Sequence, residues 1–465
     1  MKNIKYLFTG CLLLFFTPVF AQESLSLAKS RELAVENNKQ MEVAGRMYEQ
    51  SGYELNSYKA KFLPRFSATG SYLFSNSEIK QTVGDTYLPT FVPDPATGNL
   101  VPNVMTQVNG NPIFNHYAYI PGLSFDLKTN GSYMGGLQIE QPLYTGGKLR
   151  TAYRMARVGQ EMAGINRRLT YTEVIRQTDE AYWTAVQLRE LLTSAEKYKE
   201  VVMELMRNVE NAFQAGMVSR NDVLKVQVKL NEAELQILRA KNGIRLADMN
   251  LCHVLGLPLN SSLNLQDSLE GIQLPINASA DITARPEYLL LEKQVQLSNE
   301  QIKFVRSDYL PQIGVLANYG YTKALKLNDT PLFDAASFNA IVSVNIPLYQ
   351  WGEGRNKVRA AKTEKKIKEL QLEDRFEKME LQLMQGVQQY EEALLEVYLT
   401  TSSLEQAEEN MQVSGNYYGS GLETLANYLE AQTVWQKAWA EQIQAKTKLR
   451  LSETNYLIAA GKLTE

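Results

Sequence analysis

The stretch Phe213-Gln214-Ala215-Gly216-Met217-Val218-Ser219-Arg220-Asn221-Asp222-Val223-Leu224 decides how the whole chain is read. About sixty residues of helical pattern without a proline precede it, and about thirty more follow. Gly216 is the residue type that ends a helix at low cost in the left-handed conformation, and Ser219 is a good N-cap for the next helix. The stretch therefore reads as the tip of a very long helical hairpin. Such a tip must be either buried or functional.

Working outward, the chain is written twice. Ala215-Gly216 is echoed by Ser420-Gly421, and Asn250-Leu251 through Gly256 by Asn455-Tyr456 through Gly461. Gln141-Pro142-Leu143-Tyr144 with Gly146-Gly147 is echoed by Ile346-Pro347-Leu348-Tyr349 with Gly352 and Gly354. From Pro142/Pro347 to Gly256/Gly461 the offset is 205 residues at every mark. Upstream, Phe62-Leu63-Pro64-Arg65-Phe66 answers Tyr309-Leu310-Pro311-Gln312-Ile313 at an offset of 247, so the first copy carries 42 extra residues. A constant offset over such a length indicates two structural copies. Their expected bounds are 22–256 and 286–465, joined by a linker over 257–285.

No proline interrupts the chain between Pro142 and Pro258, or after Pro347. Val174, Ala181, Leu188, Ala195, Val202 and Val209 recur every seven residues; so do Ala185, Leu192, Met206 and Phe213, interrupted by Lys199. Tyr390, Val397, Leu404, Met411 and Tyr418 keep that second phase in the second copy. A sustained seven-residue repeat predicts coiled-coil packing. The helix from about Lys148 to Phe213 would run about 100 Å at 1.5 Å per residue.

Each copy opens with a helical segment, Leu25 to about Lys61 and about Pro286 to Asp308, ended by its Leu-Pro pair. Period-2 alternation follows. Phe66, Ala68, Gly70, Tyr72 and Phe74 oppose Ser67, Thr69, Ser71 and Ser75, with Leu73 out of phase; Tyr133, Leu137 and Ile139 oppose Ser132, Gln138 and Glu140. In the second copy Ile313, Val315, Ala317, Tyr319 and Tyr321 share a face, as do Phe338, Ala340, Val342, Val344 and Ile346, with Ile341 out of phase. Strands of about ten residues with aromatic ends suit a transmembrane β-barrel, although a soluble hairpin reads the same locally. Four strands cannot close a barrel, so membrane-spanning strands would have to be pooled from several chains. The stretch Asn76 to Asn130 holds the extra residues and is rich in Pro, Gly, Asn and Thr, which predicts a long irregular loop between two strands.

Lys2 and Lys5, the apolar run Leu7–Phe16 and Val19-Phe20-Ala21 make a secretory signal over 1–21. Cys11 stands at the start of that run rather than after it, which argues against a lipid-modified cysteine. Cleavage would take the formal charge from −3 to −5 and leave one cysteine, Cys252, read as a buried thiol. Nothing after the signal approaches 18 consecutive apolar residues, which argues against a transmembrane helix. The mildly acidic balance, with no basic block, argues against nucleic acid. His116 and His253 are the only histidines and have no ligand pairs nearby, so neither a metal centre nor a His-based catalytic set is expected. Glu369, Glu373, Asp374 and Glu377 sit at helical spacing among lysines and read as a solvated face. Gly146-Gly147-Lys148 lacks the rest of a phosphate loop, and its echo marks it as a strand-to-helix turn. No enzyme and no cofactor is expected.

Taken together, the opening Leu25-Ser26-Leu27-Ala28 with Asn37-Asn38, both Leu-Pro pairs, both Pro-Leu-Tyr/Gly turns, both tips and the Leu255-Gly256 arm end resemble the TolC-type outer-membrane efflux factors. The resemblance covers essentially all of the mature chain. It implies a mainly α fold with a membrane β-barrel part: a long α-helical barrel of coiled-coil hairpins, plus four β-strands per chain pooled into a 12-stranded trimeric barrel. It also implies a homotrimer in the outer membrane with its helical tunnel in the periplasm, passively conducting substrates of a tripartite efflux or type I secretion system. The implied partners are outer-membrane lipid, a periplasmic adaptor (membrane fusion) protein and an inner-membrane pump.

Adaptor docking is carried over to Gly216, Met217, Val218, Ser219, Asp222, Val223 and Leu224 at the first tip, and to Gly421, Leu422 and Thr424 at the second. The periplasmic aperture is carried over to Glu423, Asn427 and Glu430. Here the chain departs from the family pattern, with Glu423 where a basic latch residue is usual, and Asn427 and Glu430 where two ringing carboxylates are usual. The departure puts a salt-bridge latch in doubt but leaves a ring of three Glu430 side chains to favour cations. Periodicity alone leaves a second reading, a periplasmic coiled-coil structural or adaptor protein, which accounts for the helices and gives the alternating strands no lipid role.

Overall fold

A computed structural model describes residues 24–463 except 76, 109–110, 130 and 270–279; the signal sequence read at 1–21 lies outside the described residues. The chain opens with β1 (Ser24–Leu25), α1 (Leu27–Asn37), α2 (Lys39–Ala60) and β2 (Arg65–Leu73). Then come β3 (Glu78–Val83), β4 (Thr86–Pro89), β5 (Phe91–Pro93), β6 (Leu100–Pro102), β7 (Val104–Val108), β8 (Asn111–Phe114), β9 (Tyr117–Ile120) and β10 (Leu123–Lys128). The first copy closes with β11 (Ser132–Thr145), α3 (Lys148–Gln214) and α4 (Arg220–Val254). After β12 (Asn264–Leu265) the second copy runs α5 (Pro286–Ser307), β13 (Gln312–Leu327), β14 (Thr330–Asn345), α6 (Glu353–Gly419) and α7 (Leu425–Ala459). Among the described residues, no helix is long and apolar enough to cross a membrane.

The contacts divide the chain into two compact units, each drawing on both copies. One is helical, with residues 24–55, 155–299 and 361–463; the other holds the main sheet, with residues 56–154 and 300–360.

In the helical unit, the equivalence of the copies extends to single residues. Helices α3 and α6 are each 67 residues and α4 and α7 each 35, with every bound displaced by 205. Most of the predicted stripe residues face inward. Val174, Ala181, Ala185, Ala195, Val202, Met206 and Val209 of α3 are buried, whereas Phe213 at its end is exposed; in α6 Tyr390 is buried and Val397, Leu404, Met411 and Tyr418 are half-buried, with Ala393 and Ala407 buried beside them. Stripes rich in alanine let helix backbones approach closely. Leu251 and Cys252 of α4 are fully buried, so the single mature cysteine is a core thiol.

The long arms end alike. Gly256 and Gly461 both have φ 69° and close Schellman turns, with Leu257 N–H bonded to Cys252 O and Lys462 N–H to Leu457 O. A Cβ at Gly256 would lie 2.4 Å from the Asn37 carbonyl oxygen, and one at Gly461 would lie 2.6 Å from that of Asp281. Only glycine lets each arm end abut the segment leading into α2 or α5.

Two expectations are corrected at the start of the chain. The predicted helix from Leu25 to Lys61 is broken at Asn38, and Ser24–Leu25 is a strand paired in parallel with Asn264–Leu265 of the segment read as a linker. The physical cause is a set of buried long-range hydrogen bonds. Leu27 N–H and the Tyr182 hydroxyl both donate to Asp267 Oδ2, at 2.6 and 2.8 Å. Nearby, Asp179 is fully buried on α3 and accepts from Arg31 Nε (2.7 Å), Arg31 Nη2 (2.6 Å) and Thr454 Oγ1 (2.6 Å). One carboxylate thus ties α1, α3 and α7 together.

The second unit is built on the antiparallel order β2-β11-β13-β14. Register aligns the alternation strand by strand. Phe66, Ile139, Ala317 and Ala340 form one cross-strand row, and Ala68, Leu137, Tyr319 and Phe338 the next on the same face. Ser67, Gln138, Asn318 and Asn339 form a polar row on the opposite face. Phe66, Leu137, Tyr319 and Phe338 are exposed, so the apolar face has no cover among the described residues. Beside the sheet, Leu348, Tyr349 and Trp351 are also exposed, Trp351 at 88%. Among the described residues β2 pairs only with β11, and β14 only with β13, so each keeps one free edge.

The predicted irregular loop over 76–130 is the third correction. It is a β-ribbon: β3 pairs with β10, β4 with β9, β5 with β6, and β7 with β8. Leu127 and Lys128 continue the ribbon onto Leu327 and Lys326 of β13. The strands are only three to six residues long and several carry prolines, such as Pro93 and Pro102, which is why the stretch has the composition of a loop.

Asp179→Ala is expected to cost about 3 kcal/mol, near the low end for breaking a buried ion pair, because the Arg31 side chain keeps 33% exposure. Denaturant unfolding of the purified protein, with Arg31→Gln as companion, measures it. A loss under about 1 kcal/mol, the scale of an exposed pair, would show the tie to be dispensable.

Candidate functional site

The two tips are built by the same hydrogen bonds. At the first, Gly216 has φ 73°, Met217 N–H bonds Ala212 O at 2.9 Å and Gly216 N–H bonds Phe213 O at 2.9 Å. At the second, Gly421 has φ 76°, Leu422 N–H bonds Tyr417 O at 2.9 Å and Gly421 N–H bonds Tyr418 O at 3.0 Å. These satisfy the last carbonyls of α3 and α6 and reverse the chain.

The next helices then start on proper caps. Ser219 and Asp222 form a capping box, each side chain serving the other's backbone N–H. The Ser219 hydroxyl also donates to Asp222 Oδ2 at 2.7 Å, and with Lys225 alongside this holds the Asp222 carboxyl below its usual range. Thr424 caps α7 by accepting from Asn427 N–H at 3.3 Å.

One hydrophobic cluster holds both tips. Val218 and Val223 pack on the same core as Leu425, Leu429, Val209 and Val226. Tyr418 and Tyr428 stack in that cluster with centroids 5.6 Å apart, and burial pushes the Tyr418 hydroxyl pKa up. Of the residues assigned to docking, Val218 and Val223 therefore serve mainly to fix the turn. Met217 and Leu422, at equivalent positions of the two copies, are left 80% and 77% exposed. Leu224 is exposed beside the first tip. An exposed pair of large apolar side chains on rigid turns is suited to contact with another protein.

The residues assigned to the aperture separate. Glu423 turns back onto its own hairpin, where the Ser414 hydroxyl donates to Oε2 at 2.5 Å. Asn427 and Glu430 lie three residues apart on one exposed face of α7. Glu430 forms no ion pair among the described residues. The Glu423–Ser414 contact joins residues nine apart across the turn, and neither tip motif announces it. Among the described residues no group of three or more His, Cys, Asp or Glu side chains is placed to hold a metal ion.

The outer membrane efflux protein family model matches residues 31–257 and 283–461, most of the chain and both copies. The alkaline protease secretion protein AprF of Pseudomonas aeruginosa is 22% identical over 344 residues, covering 72% of this chain and 70% of that protein. Among solved structures, the Campylobacter jejuni CmeC outer membrane channel superposes with a TM-score of 0.71 at 19% identity, covering 94% of this chain and 86% of CmeC. The open state of the Neisseria gonorrhoeae MtrE outer membrane channel gives 0.71 at 16% identity, covering 94% of this chain and 89% of MtrE. These likenesses establish the fold. This chain belongs to the outer membrane efflux protein family, a family of channels rather than of enzymes.

Proposed function

We propose that this chain forms a trimeric outer-membrane duct that passively carries the substrates of an inner-membrane pump out of the cell. One observation carries the reading: a four-stranded sheet with an uncovered apolar face, a polar opposite face and two free edges. In water that sheet would expose Phe66, Leu137, Tyr319 and Phe338 and offer both edges for aggregation. Three such sheets joined edge to edge give twelve strands, turn the apolar faces to lipid and line a lumen with Gln138, Asn318 and Asn339. A free-standing periplasmic rod leaves those features without a purpose. The β3–β10 ribbon then lies outside the cell, and the tips at the periplasmic mouth.

At that mouth, Met217 and Leu422 supply the apolar anchors for an adaptor, and the capping box keeps the first of them on a rigid turn. Glu430, exposed and without an ion pair among the described residues, supplies three carboxylates to the aperture. Glu423 belongs to the internal bracing of the second tip. One relative is by name a protease secretion protein and others are outer membrane channels, and in this reading the pump selects the cargo and this chain conducts it.

The duct predicts heat-modifiable trimers in the outer-membrane fraction on unboiled gels; recovery of the chain as a soluble periplasmic monomer would sink it. A photo-crosslinker at Met217 or Leu422 is expected to capture a periplasmic adaptor in intact cells. Met217→Asp should lower adaptor recovery by about fivefold or more, the effect of losing a contact worth about 1 kcal/mol, with trimer yield unchanged. Equal recovery would remove Met217 from the interface. In planar bilayers Glu430→Gln should reduce cation preference, and unchanged selectivity would exclude Glu430 from the aperture.

A further inference from the structure

The sheet unit contains one joint between the two copies and leaves its twin open. In the closed joint β11 of the first copy pairs with β13 of the second, and the turn after β11 lies against the end of α5. A Cβ on Gly146 would stand 2.5 Å from Ser307 O and 2.8 Å from Leu310 Cβ. Lys148, the first residue of α3, donates to Asp308 Oδ1 at 2.7 Å. The matching joint would bring β14 and the start of α6 against β2 and the end of α2. In one chain β2 and β14 are separated by β11 and β13, so that joint has no second half.

Both halves of the open joint are nevertheless built like those of the closed one. Helices α2 and α5 are each 22 residues, with bounds displaced by 247. Phe62 N–H bonds Lys59 O and Leu63 N–H bonds Ala60 O after α2; Tyr309 N–H bonds Arg306 O and Leu310 N–H bonds Ser307 O after α5. Gly146 and Gly147 have φ 63° and 86°, and Trp351 and Gly352, 205 residues on, have 51° and 83°. The hairpin registers agree as well, since Phe66 opposite Ile139 becomes Ile313 opposite Val344. By the same displacements Asp308 corresponds to Lys61, and Lys148 to Glu353. The ion pair of the closed joint thus has a counterpart with its charges exchanged. Lys61 is exposed and forms no ion pair among the described residues, while Glu353 meets Lys357 one turn along its own exposed helix face.

We propose that Glu353 of one chain pairs with Lys61 of a second copy, whose β2 adds to β14 in the register that β13 holds on β11. The inference rests on the trimeric reading above. The displaced register sets Val342 opposite Tyr72, Ser343 opposite Ser71 and Val344 opposite Gly70. Val342 and Tyr72 then share the apolar face and the two serines the polar one, which a slip of one residue would destroy. The joint between chains is wider than the joint within one, because Trp351 stands where Gly146 lies against Ser307. A glutamate–lysine pair suits that gap, reaching one methylene further than the aspartate–lysine pair. The exchanged charges also select partners. First copy against first copy would set Lys148 against Lys61, and second against second would set Glu353 against Asp308, both repulsive. Only strict alternation of the copies around the ring satisfies every pair.

The full chain, expressed in cells and read on unboiled gels, tests this. Lys61→Glu and Glu353→Lys should each weaken every joint by about two- to fivefold, the scale of an exposed ion pair, and three joints lower the trimer-to-monomer ratio about tenfold. The double variant restores the pair with reversed polarity and should recover the ratio. Such rescue requires contact between chains, because the two residues lie at the β2 and β14 ends of one sheet. Single variants without effect, or a double variant no better than either single, overturn the ion pair. The register is read by oxidative crosslinking: Ser71→Cys with Ser343→Cys should give covalent dimers and trimers, and Thr69→Cys with Ser343→Cys far fewer. The opposite order overturns the register. These pairs leave Lys61 and Glu353 in place, so they test the joint should the charge variants fold poorly. Trimers of the unaltered chain without these effects remove this joint and leave the duct standing; no trimer at all overturns the duct reading and the joint with it.

Discussion

Two helices of 67 residues can share a bundle and turn together only if they keep the same count. Each residue advances a helix by about 1.5 Å and rotates it by about 100°. One inserted residue in α3 would shift its tip along the bundle and swing the rest of its apolar stripe out of the seam. The invariant displacement of 205 between the copies is this constraint written in the sequence. The joint core of the tips depends on it, because Val209 and Val226 of one hairpin meet Leu425 and Leu429 of the other. Small residues at Ala195, Ala233 and Ala407 keep the helices close enough for that contact.

What was legible in the sequence was what is encoded locally. Gly216 and Ser219 announce a turn by their own conformational preferences, and the structure shows the Schellman bonds and capping box that those preferences imply. Alternation named the faces of the four long strands. The two residues that broke it also have a reason in part: Ile341 stands opposite Leu316 in the register, which gives it one apolar neighbour on the otherwise polar face, while Leu73 sits at the very end of β2.

Features that depend on distant partners were hidden. Pairing of Ser24–Leu25 with Asn264–Leu265 joins two-residue strands that no periodicity reveals. Asp179 occurs on an otherwise buried face among Val174, Thr178 and Tyr182, a charge out of place; its partners are 148 and 275 residues away. The ribbon over 76–130 has the composition of a loop because its short strands gain their order from one another. At the tips, sequence located the residues but not their division of labour. Val218 and Val223 turn inward, Met217 and Leu422 outward, and Glu423 is taken up by Ser414.

The carboxylate of Asp179 also sets an order of events. It lies at the meeting point of residues 31, 179 and 454, so its hydrogen bonds are complete only after nearly the whole chain has reached the periplasm. Each hairpin can zip up from its own tip with short loops, a fast and local process. Closing the centre spans hundreds of residues and carries a correspondingly larger entropic cost. Until Thr454 arrives, Arg31 and Asp179 have only each other, while the N-terminal strand is already held by its pairing with Asn264–Leu265 and by Tyr182 and Asp267. The helical arms are thus free to form early, and the tie of α1 to α3 is completed only by the last helix of the chain.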